Sequence, residues 1–268
     1  MSIDETALSR GELYTIITNK SAKGKKGSLF AMIRGTKADT ICDIINKLPR
    51  KVRYKCREIT MDFANNMSLI ARRCFPQAVQ VNDRFHLHRM VHEALQDVRI
   101  KYRWQAIEAE NMAAKNFGPG YQPEVLENGD TLKQLLVRSR YLLYKTQEKW
   151  SESQKMRARL LFERYPEIET AYRHAVNLNH VFKAKCREAA YTRLAKWYEQ
   201  VEKCQIGAFA TVAKTIMNNY RTILNYFDNK STNAAAESFN AKIKAFRAQF
   251  RGGRDTAFFI FRLTKIYA

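Results

Sequence analysis

One acid stands at the head of a basic segment near the C-terminus. Glu237 is the only carboxylate between Asp228 and Asp255. The segment after it carries a series of cations, namely Lys242, Lys244, Arg247 and Arg251. A carboxylate in such surroundings is a candidate ligand for a metal ion, and the cations beyond it are candidates for contacts to phosphate groups.

Two further acids lie in predicted strands and become candidates for the same ion. Asp4 is in the first strand and Asp62 is at the end of the fourth. If those strands pair, the two carboxylates meet at one edge of the sheet and Glu237 completes a set of three. Divalent ions such as Mg²⁺ or Mn²⁺ take oxygen ligands, and two of them about 3.5 to 4 Å apart promote phosphodiester chemistry. We therefore predict a catalytic, metal-binding triad. The alternative is that the Asp residues cap turns and Glu237 favours the helix dipole.

The first 87 residues predict a mixed β-sheet in an α/β fold. Strand-forming residues cluster at 2–8, 13–18, 28–34, 58–63 and 78–85. The basic stretch K-S-A-K-G-K-K-G predicts a hairpin turn between the second and third strands. Helices are predicted at 36–48, ended by Pro49, and at 67–75, stopped by Pro76. The predicted order is β-β-β-α-β-α-β, with the later strands parallel.

The rest of the chain predicts a helical region followed by a return to the sheet. Residues 88–228 are rich in helix-forming residues and are assigned to a helical insertion, between core segments at 1–87 and 229–268. In the terminal helix an apolar stripe consists of Phe239, Ile243, Phe246 and Phe250. A polar stripe consists of Glu237, Asn240, Lys244, Arg247 and Arg251. The helix is predicted to hold a metal at its head and phosphates further along.

The composition points to a polyanionic partner. Forty-seven Lys and Arg against 26 Asp and Glu give a formal charge of +21, and nucleic acid is the first partner to consider. The five cysteines form no C-x-x-C pair and predict reduced thiols in an intracellular protein. No long apolar run predicts a membrane span.

Several motifs together resemble a known family. They are I-D-E at 3–5, T-M-D-F at 60–63, N-D-R-F-H at 82–86, T-N-A-A-A-E-S-F-N-A-K-I-K at 232–244 and R-G-G-R at 251–254. In this order they resemble the catalytic domain of DDE transposases of bacterial insertion sequences, in the group called ISL-three, with Mutator-like transposases more distant. The resemblance covers the sheet and the terminal helix well and the helical middle weakly.

The resemblance implies a fold, a reaction and partners. The fold is RNase H-like, with the helical insertion before the last acid. Asp4, Asp62 and Glu237 are implied to bind divalent ions, cut DNA at transposon ends and join the freed 3′-hydroxyl to target DNA. Asp83 and His86, in a C/D-x-x-H motif, are implied to support the site, and Asp83 is also the rival for the second acid. A bacterial nucleoid-associated homo-oligomer is expected. The implied supporting and DNA-binding residues further include Asn240, Lys242, Lys244, Arg247, Arg251 and Arg254.

Alternatives stay open. Asp83, His86, His88 and His92 form a possible zinc set, although a core or DNA-facing role is favoured because no cysteine lies nearby. Only three residues precede Asp4, whereas family members carry an N-terminal end-recognition region, so the expectation is either that the sequence is a fragment or that a separate polypeptide binds the ends. The competing functions are another RNase H-like nuclease and a catalytically inactive DNA-binding remnant. The tryptophans at 104, 150 and 197 are expected in the core more than in base stacking.

Overall fold

A single five-stranded sheet organises the two ends of the chain. The computed structural model describes residues 1–8, 11–249 and 255–268. Its strands are β1 Ser2–Ala7, β2 Leu13–Thr18, β3 Leu29–Arg34, β4 Glu58–Met61 and β5 Val79–Asn82, in the order β3-β2-β1-β4-β5. β2 is antiparallel to β1 and β3, whereas β1, β4 and β5 are parallel. The predicted mixed sheet and the predicted pairing of the first strand with the fourth are confirmed.

Helices account for most of the remaining described residues. Within or after the sheet they are α1 Ala38–Ile45, α2 Arg50–Arg53 and α3 Asn65–Cys74. The middle of the chain forms α4 Arg84–Phe117, α5 Leu132–Arg138, α6 Glu152–Arg164, α7 Pro166–Phe182, α8 Arg187–Cys204 and α9 Gly207–Leu224. Near the C-terminus are α10 Tyr226–Asn229, α11 Ala234–Gln249 and α12 Thr256–Tyr267.

The strands bury a different core on each face because their side chains alternate. On one face Ile3 pairs with Ile17, and both pack with Ile41 and Ile45 of α1 and with Ile70 of α3. On the other face Tyr14 and Ile16 of β2 pack with Leu29. That second core also receives Phe239 and Ile243 of α11 and Phe259 and Leu263 of α12. α11 therefore lies on the sheet face to which Asp4, the partner of Ile16, belongs.

The chain divides into two compact units. One consists of Met1–His86 and Asn219–Ala268, and the other of Leu87–Asn218. The boundaries fall inside α4 and α9, so residues 219–228, which the sequence assigns to the helical region, cluster with the sheet. Inside the helical unit, the buried Trp197 donates through Nε1 to the carbonyl oxygen of His174 at 2.8 Å. Trp150 donates to Leu142 O at 2.9 Å, whereas Trp104 is 56% exposed and lies outside that core.

Two local predictions differ from the structure. The fifth strand stops at Asn82 and α4 starts at Arg84, so the prediction of strand through residue 85 was wrong. The physical reason is that the Asp83 carboxylate bonds to His86 in the first turn of α4, which favours a helix start there. The helix predicted at 36–48 ends at Ile45, and Pro49 is the N-cap of the short α2 instead of closing α1.

Candidate active site

Asp4 and Asp62 occupy matching positions on neighbouring parallel strands. Ser2 of β1 is paired with Thr60 of β4, and each acid follows two residues later. Asp62 comes directly after β4, where its Oδ1 accepts the backbone N–H of Ala64 at 2.8 Å. This turn at the strand end keeps the Asp62 carboxylate at the edge of the sheet.

α11 brings Glu237 and Asn240 to Asp4. Asn240 Nδ2 donates to Asp4 Oδ2 at 2.5 Å, and the backbone N–H of Glu5 donates to Asp4 Oδ1 at 2.8 Å. Glu237 precedes Asn240 by three residues, so the two side chains share one side of the helix. Phe239 and Ile243 pack against the sheet, and this packing fixes the position of α11 on it.

The electrostatics of Asp4 show which acids surround it. Burial is the largest influence and raises the pKa of Asp4, and the carboxylates of Asp62 and Glu237 raise it further. The Glu5 N–H and His86 act in the opposite direction without cancelling the rise. Asp62 and Glu237 are therefore close enough to Asp4 to influence its charge, and a cation beside Asp4 would favour its ionised form.

A tighter cluster is formed by Asp83, His86 and Glu237. Their ligand atoms all lie within 4.8 Å of one another, a spacing compatible with one metal ion, in the part of the chain that the structure describes. His86 Nδ1 is 3.1 Å from Asp83 Oδ2. Asp4 and Asp62 are not members of this cluster. Glu237 thus lies between two groups of potential ligands, the predicted pair on β1 and β4 and the D-x-x-H pair after β5.

Asp83 also holds the segment that leads into α11. Its Oδ1 accepts the backbone N–H of Asn233 at 3.1 Å, and the Glu237 N–H donates to Asn233 O at 2.9 Å. Burial would raise the pKa of Asp83, but the His86 ring and the Asn233 N–H outweigh it, so the pKa is lowered. Asp83 therefore stays ionised and holds Asn233, the residue that directly precedes α11, the helix that carries Glu237.

Two buried amides next to these acids have polar atoms without a partner among the described residues. They are Asn240 Oδ1 and both side-chain polar atoms of Asn233, whose residue is 0% exposed. Leaving a buried polar atom unpaired costs on the order of 1–3 kcal/mol. Together with the concentration of carboxylate oxygens, these atoms fit a site built to accept a hard cation or a polar ligand.

The comparison with protein families decides the class of this protein. A family model, DDE_Tnp_ISL3 with the description Transposase, matches residues 1–263. The chain belongs to the ISL3-like family of DDE transposases. No curated protein and no solved structure matches it. A transposase acts on DNA, and DNA transposition accounts for the formal charge of +21.

The cations predicted to bind DNA differ in their surroundings in this transposase. Lys242 and Lys244 are exposed on α11. Arg247 is half-buried, and its guanidinium lies over the ring of Phe259 at 5.0 Å from the centroid. Arg251 and Arg254, like Phe250 of the predicted apolar stripe, lie outside the described residues. α11 therefore presents its two lysines to solvent, whereas Arg247 packs against α12.

The zinc alternative does not assemble among the described residues. The ring of His88 packs on Phe182 with centroids 5.1 Å apart, and that of His92 packs on Tyr144 at 5.0 Å. Neither belongs to the cluster of Asp83, His86 and Glu237. Both histidines are half-buried. No helix in the described ranges has the length and apolar character of a bilayer span.

Sequence reasoning missed a polar anchor at the other end of β4. Glu58 Oε1 lies 3.3 Å from Lys20 Nζ and accepts from Ser231 Oγ, while Oε2 accepts from Asn229 Nδ2 at 2.9 Å. Burial would raise the pKa of Glu58, but the bonds from Ser231, Asn229 and Lys20 lower it. Glu58 ties the loop before α11 to the sheet. Its only signal in the sequence is an acid at the start of an apolar strand.

Proposed function

We propose that this transposase cuts DNA at transposon ends and joins the freed 3′-hydroxyl to target DNA, in a metal-dependent reaction. The unit of residues 1–86 and 219–268 is proposed to be an RNase H-like catalytic core, and residues 87–218 its helical insertion. Asp4, Asp62 and Glu237 are the proposed ligands of Mg²⁺ or Mn²⁺. A homo-oligomer is proposed from the resemblance alone.

One observation carries the proposal. Asp4 and Asp62 stand at matching positions of paired parallel strands, and α11 places Glu237 near enough to raise the pKa of Asp4. Three acids far apart in sequence and close in space are the expected ligand set for hard divalent ions. The strand order β3-β2-β1-β4-β5, with three antiparallel strands followed by two strands parallel to β1, supports the proposed core.

The chemistry divides between the ions and the chain. When bound, divalent ions activate the attacking water or hydroxyl and stabilise the leaving oxygen. Asn240 and the Glu5 N–H orient the Asp4 carboxylate, each through one of its oxygens. Asp83 stabilises the start of α11 through Asn233, and its pair with His86 keeps the imidazole fixed beside Glu237. The lysines of α11 are proposed to bind backbone phosphates next to the bond that is cut.

A second ligand arrangement is favoured by a specific distance. Because Asp83, His86 and Glu237 converge within 4.8 Å, Asp83 can replace Asp62 as the second acid. The two arrangements share Glu237 and differ in which Asp is indispensable. A nuclease that only hydrolyses DNA would use the same acids, and a DNA-binding remnant would need none of them.

The test compares isosteric variants with one substrate set. Asp4→Asn, Asp62→Asn, Asp83→Asn and Glu237→Gln are assayed for Mg²⁺-dependent cleavage of a transposon end and for joining of a pre-cut end. We expect Asp4→Asn, Asp62→Asn and Glu237→Gln each to fall below about 1% of the wild-type rate while DNA affinity is retained, because a lost ligand costs more than the 10–100-fold of a lost supporting residue. Asp83→Asn is expected to lose only about 10–100-fold.

The outcomes separate the alternatives. Unchanged cleavage in Asp62→Asn with abolished cleavage in Asp83→Asn would assign the second acid to Asp83. Cleavage without joining would indicate a nuclease. Mn²⁺ binding, measured by electron paramagnetic resonance on each variant, reports the ligands independently of turnover. If the wild-type protein neither binds Mn²⁺ nor cleaves, the proposed function is wrong.

A further inference from the structure

The turn between β2 and β3 concentrates positive charge without a neighbouring acid. We call residues 20–27 the lysine turn; it contains Lys20, Lys23, Lys25 and Lys26. No Asp or Glu occurs from residue 13 to residue 38. Lys20 is engaged by Glu58 and Thr60, whereas the other three lysines are exposed. The turn therefore projects three ammonium groups into solvent.

The backbone of the lysine turn is well defined. Asn19 N–H donates to Ser28 O at 2.8 Å, and Ser28 N–H donates to Lys25 O at 3.1 Å. Lys23 and Gly24 adopt left-handed backbone angles, with φ of 50° and 74°. Such a conformation strains most residues, so it persists where the surrounding bonds hold it. The three lysines consequently project from a fixed scaffold, which reduces the entropy lost when they bind a partner.

α11 adds a fourth cation to this surface and links it to the acids. Lys242 Nζ donates to Gly24 O at 3.3 Å, and a Cβ on Gly24 would lie 2.7 Å from that nitrogen. Lys242 follows Glu237 by five residues, which is about 7.5 Å along the helix axis at 1.5 Å per residue. Duplex DNA rises about 3.4 Å per base pair, so this span is about two base pairs. The lysine turn is thus within a few nucleotides of a phosphate held at Glu237.

The charges of this surface are not balanced within the described residues. No carboxylate of the described ranges lies within 4.0 Å of the amino groups of Lys23, Lys25, Lys26 or Lys242. Four neighbouring ammonium groups repel one another, and a polyanion removes that repulsion and releases its own counterions. A string of phosphates fits four cations on a rigid turn and a helix better than one small anion does.

We propose that the lysine turn, together with Lys242, binds backbone phosphates of duplex DNA beside the carboxylates. The contacts are independent of base sequence and hold the duplex in register with the site. This inference rests on the proposed function, because it takes the DNA at the acids as the DNA that the turn binds. It adds Lys23, Lys25 and Lys26 to the binding surface.

The experiment measures the salt dependence of binding. The turn variant carries Lys23→Ala, Lys25→Ala and Lys26→Ala. A matched control carries Lys47→Ala, Lys51→Ala and Lys55→Ala, which removes three exposed lysines around α2, after the α1 helix of the opposite sheet face. Binding to a fluorescein-labelled DNA duplex of arbitrary sequence is followed by anisotropy from about 50 to about 200 mM NaCl. Thermal unfolding by circular dichroism checks that both variants fold.

The expected result is a change of slope in one variant. Each phosphate contact contributes about 0.9 to the slope of log K against log salt, so losing three lowers its magnitude by about 2.7. When the salt concentration rises fourfold, the fold-decrease in DNA affinity is therefore roughly 40 times smaller for the turn variant than for the wild type. The control keeps the wild-type slope, and Lys→Arg at the three turn positions restores it. The inference is overturned if the turn variant and the wild type have equal slopes, or if the control variant changes the slope as much as the turn variant does. It is also overturned if the turn variant changes the slope for RNA but not for DNA.

The design separates this inference from the proposed function. Metal-dependent cleavage by the wild-type protein is scored in a separate assay. Turn-dependent binding by a wild-type protein that never cleaves refutes the proposed function alone. Cleavage by a wild-type protein whose turn variant binds with an unchanged slope refutes the inference alone.

Discussion

Removing the Glu58 carboxylate should loosen the start of α11. Glu58 accepts bonds from Ser231 in the loop before this helix and from Asn229 at the end of α10, and it pairs with Lys20 of the lysine turn. The side chains of Glu58 and Lys20 are 16% and 19% exposed, so water screens this pair only in part. Hydrogen bonds to a charged group contribute about 1.5–3 kcal/mol each. Lys20 and Asn229 recover bonds to water in Glu58→Ala, so we expect a local loss of about 2 kcal/mol.

Hydrogen exchange measures this loss where it occurs. At 1.4 kcal/mol per tenfold, a loss of about 2 kcal/mol makes amides of residues 230–240 exchange roughly 30-fold faster. The Glu237 side chain is then less often in place, so cleavage falls as well. The pKa of Glu58 is lowered, so its contribution is present above its ordinary value of 4.5 and is lost as the pH falls through the lower, folded-state value. The excess exchange of Glu58→Ala should accordingly shrink in acid.

A matched control defines the refutation. Asp39→Ala removes another ion pair of the same unit, with Arg73, in which the Asp39 side chain is 84% exposed. Such a pair contributes less than about 1 kcal/mol, so exchange of residues 230–240 should not change. If Glu58→Ala and Asp39→Ala give the same exchange in this segment, Glu58 does not anchor the loop and the reasoning fails.

Two further predictions concern charge and stability. Because the pKa of Asp4 is raised, its ionisation opposes folding progressively as the pH rises from about 3.8 through the folded-state value. Asp4→Asn should therefore unfold at a higher urea concentration than the wild type at pH 7, while losing cleavage. A lower urea midpoint for Asp4→Asn would contradict this. In the helical unit, Asp130 is 0% exposed and pairs with Arg138 and Arg157, which lower its pKa against the effect of burial. Asp130→Ala should lower the free energy of unfolding of that unit by about 3 kcal/mol at pH 7, and the difference from wild type should shrink as the pH falls below about 3.8. Unfolding of the unit is followed by the fluorescence of the three tryptophans, which all lie within 87–218.

Local patterns were enough to predict the sheet and one face of the site. β1 and β2 alternate buried side chains from one face to the other, and this alternation with the hairpin between β2 and β3 makes the strands recognisable. The predicted triad assumed that β1 pairs with β4, and this pairing brings Asp4 level with Asp62. The helical spacing of Glu237 and Asn240 likewise predicted two side chains on one side of α11.

The remaining contacts depend on partners too distant in sequence for a local pattern. Asn233 reaches Asp83 across 150 residues, and Ser231 reaches Glu58 across 173. Nothing in the composition of either segment specifies the other, because any acid can accept a bond from any backbone N–H. The end of β5 was mispredicted for a related reason, since the strand prediction ran on to Phe85 while the Asp83 side chain bonds to His86 in the first turn of α4.

The discontinuity of the sheet unit has a consequence during synthesis. Asp4, Asp62 and Asp83 leave the ribosome first, and Glu237 follows only after the whole of Leu87–Asn218 has been made. At 5–20 residues per second, the 150 residues from Asp83 to Asn233 take about 8–30 s. Throughout that interval the nascent chain exposes the apolar sheet face that Phe239 and Ile243 later cover, and it has no acid from α11. With Glu237 as its proposed third acid, the proposed site stays incomplete until α11 has been made.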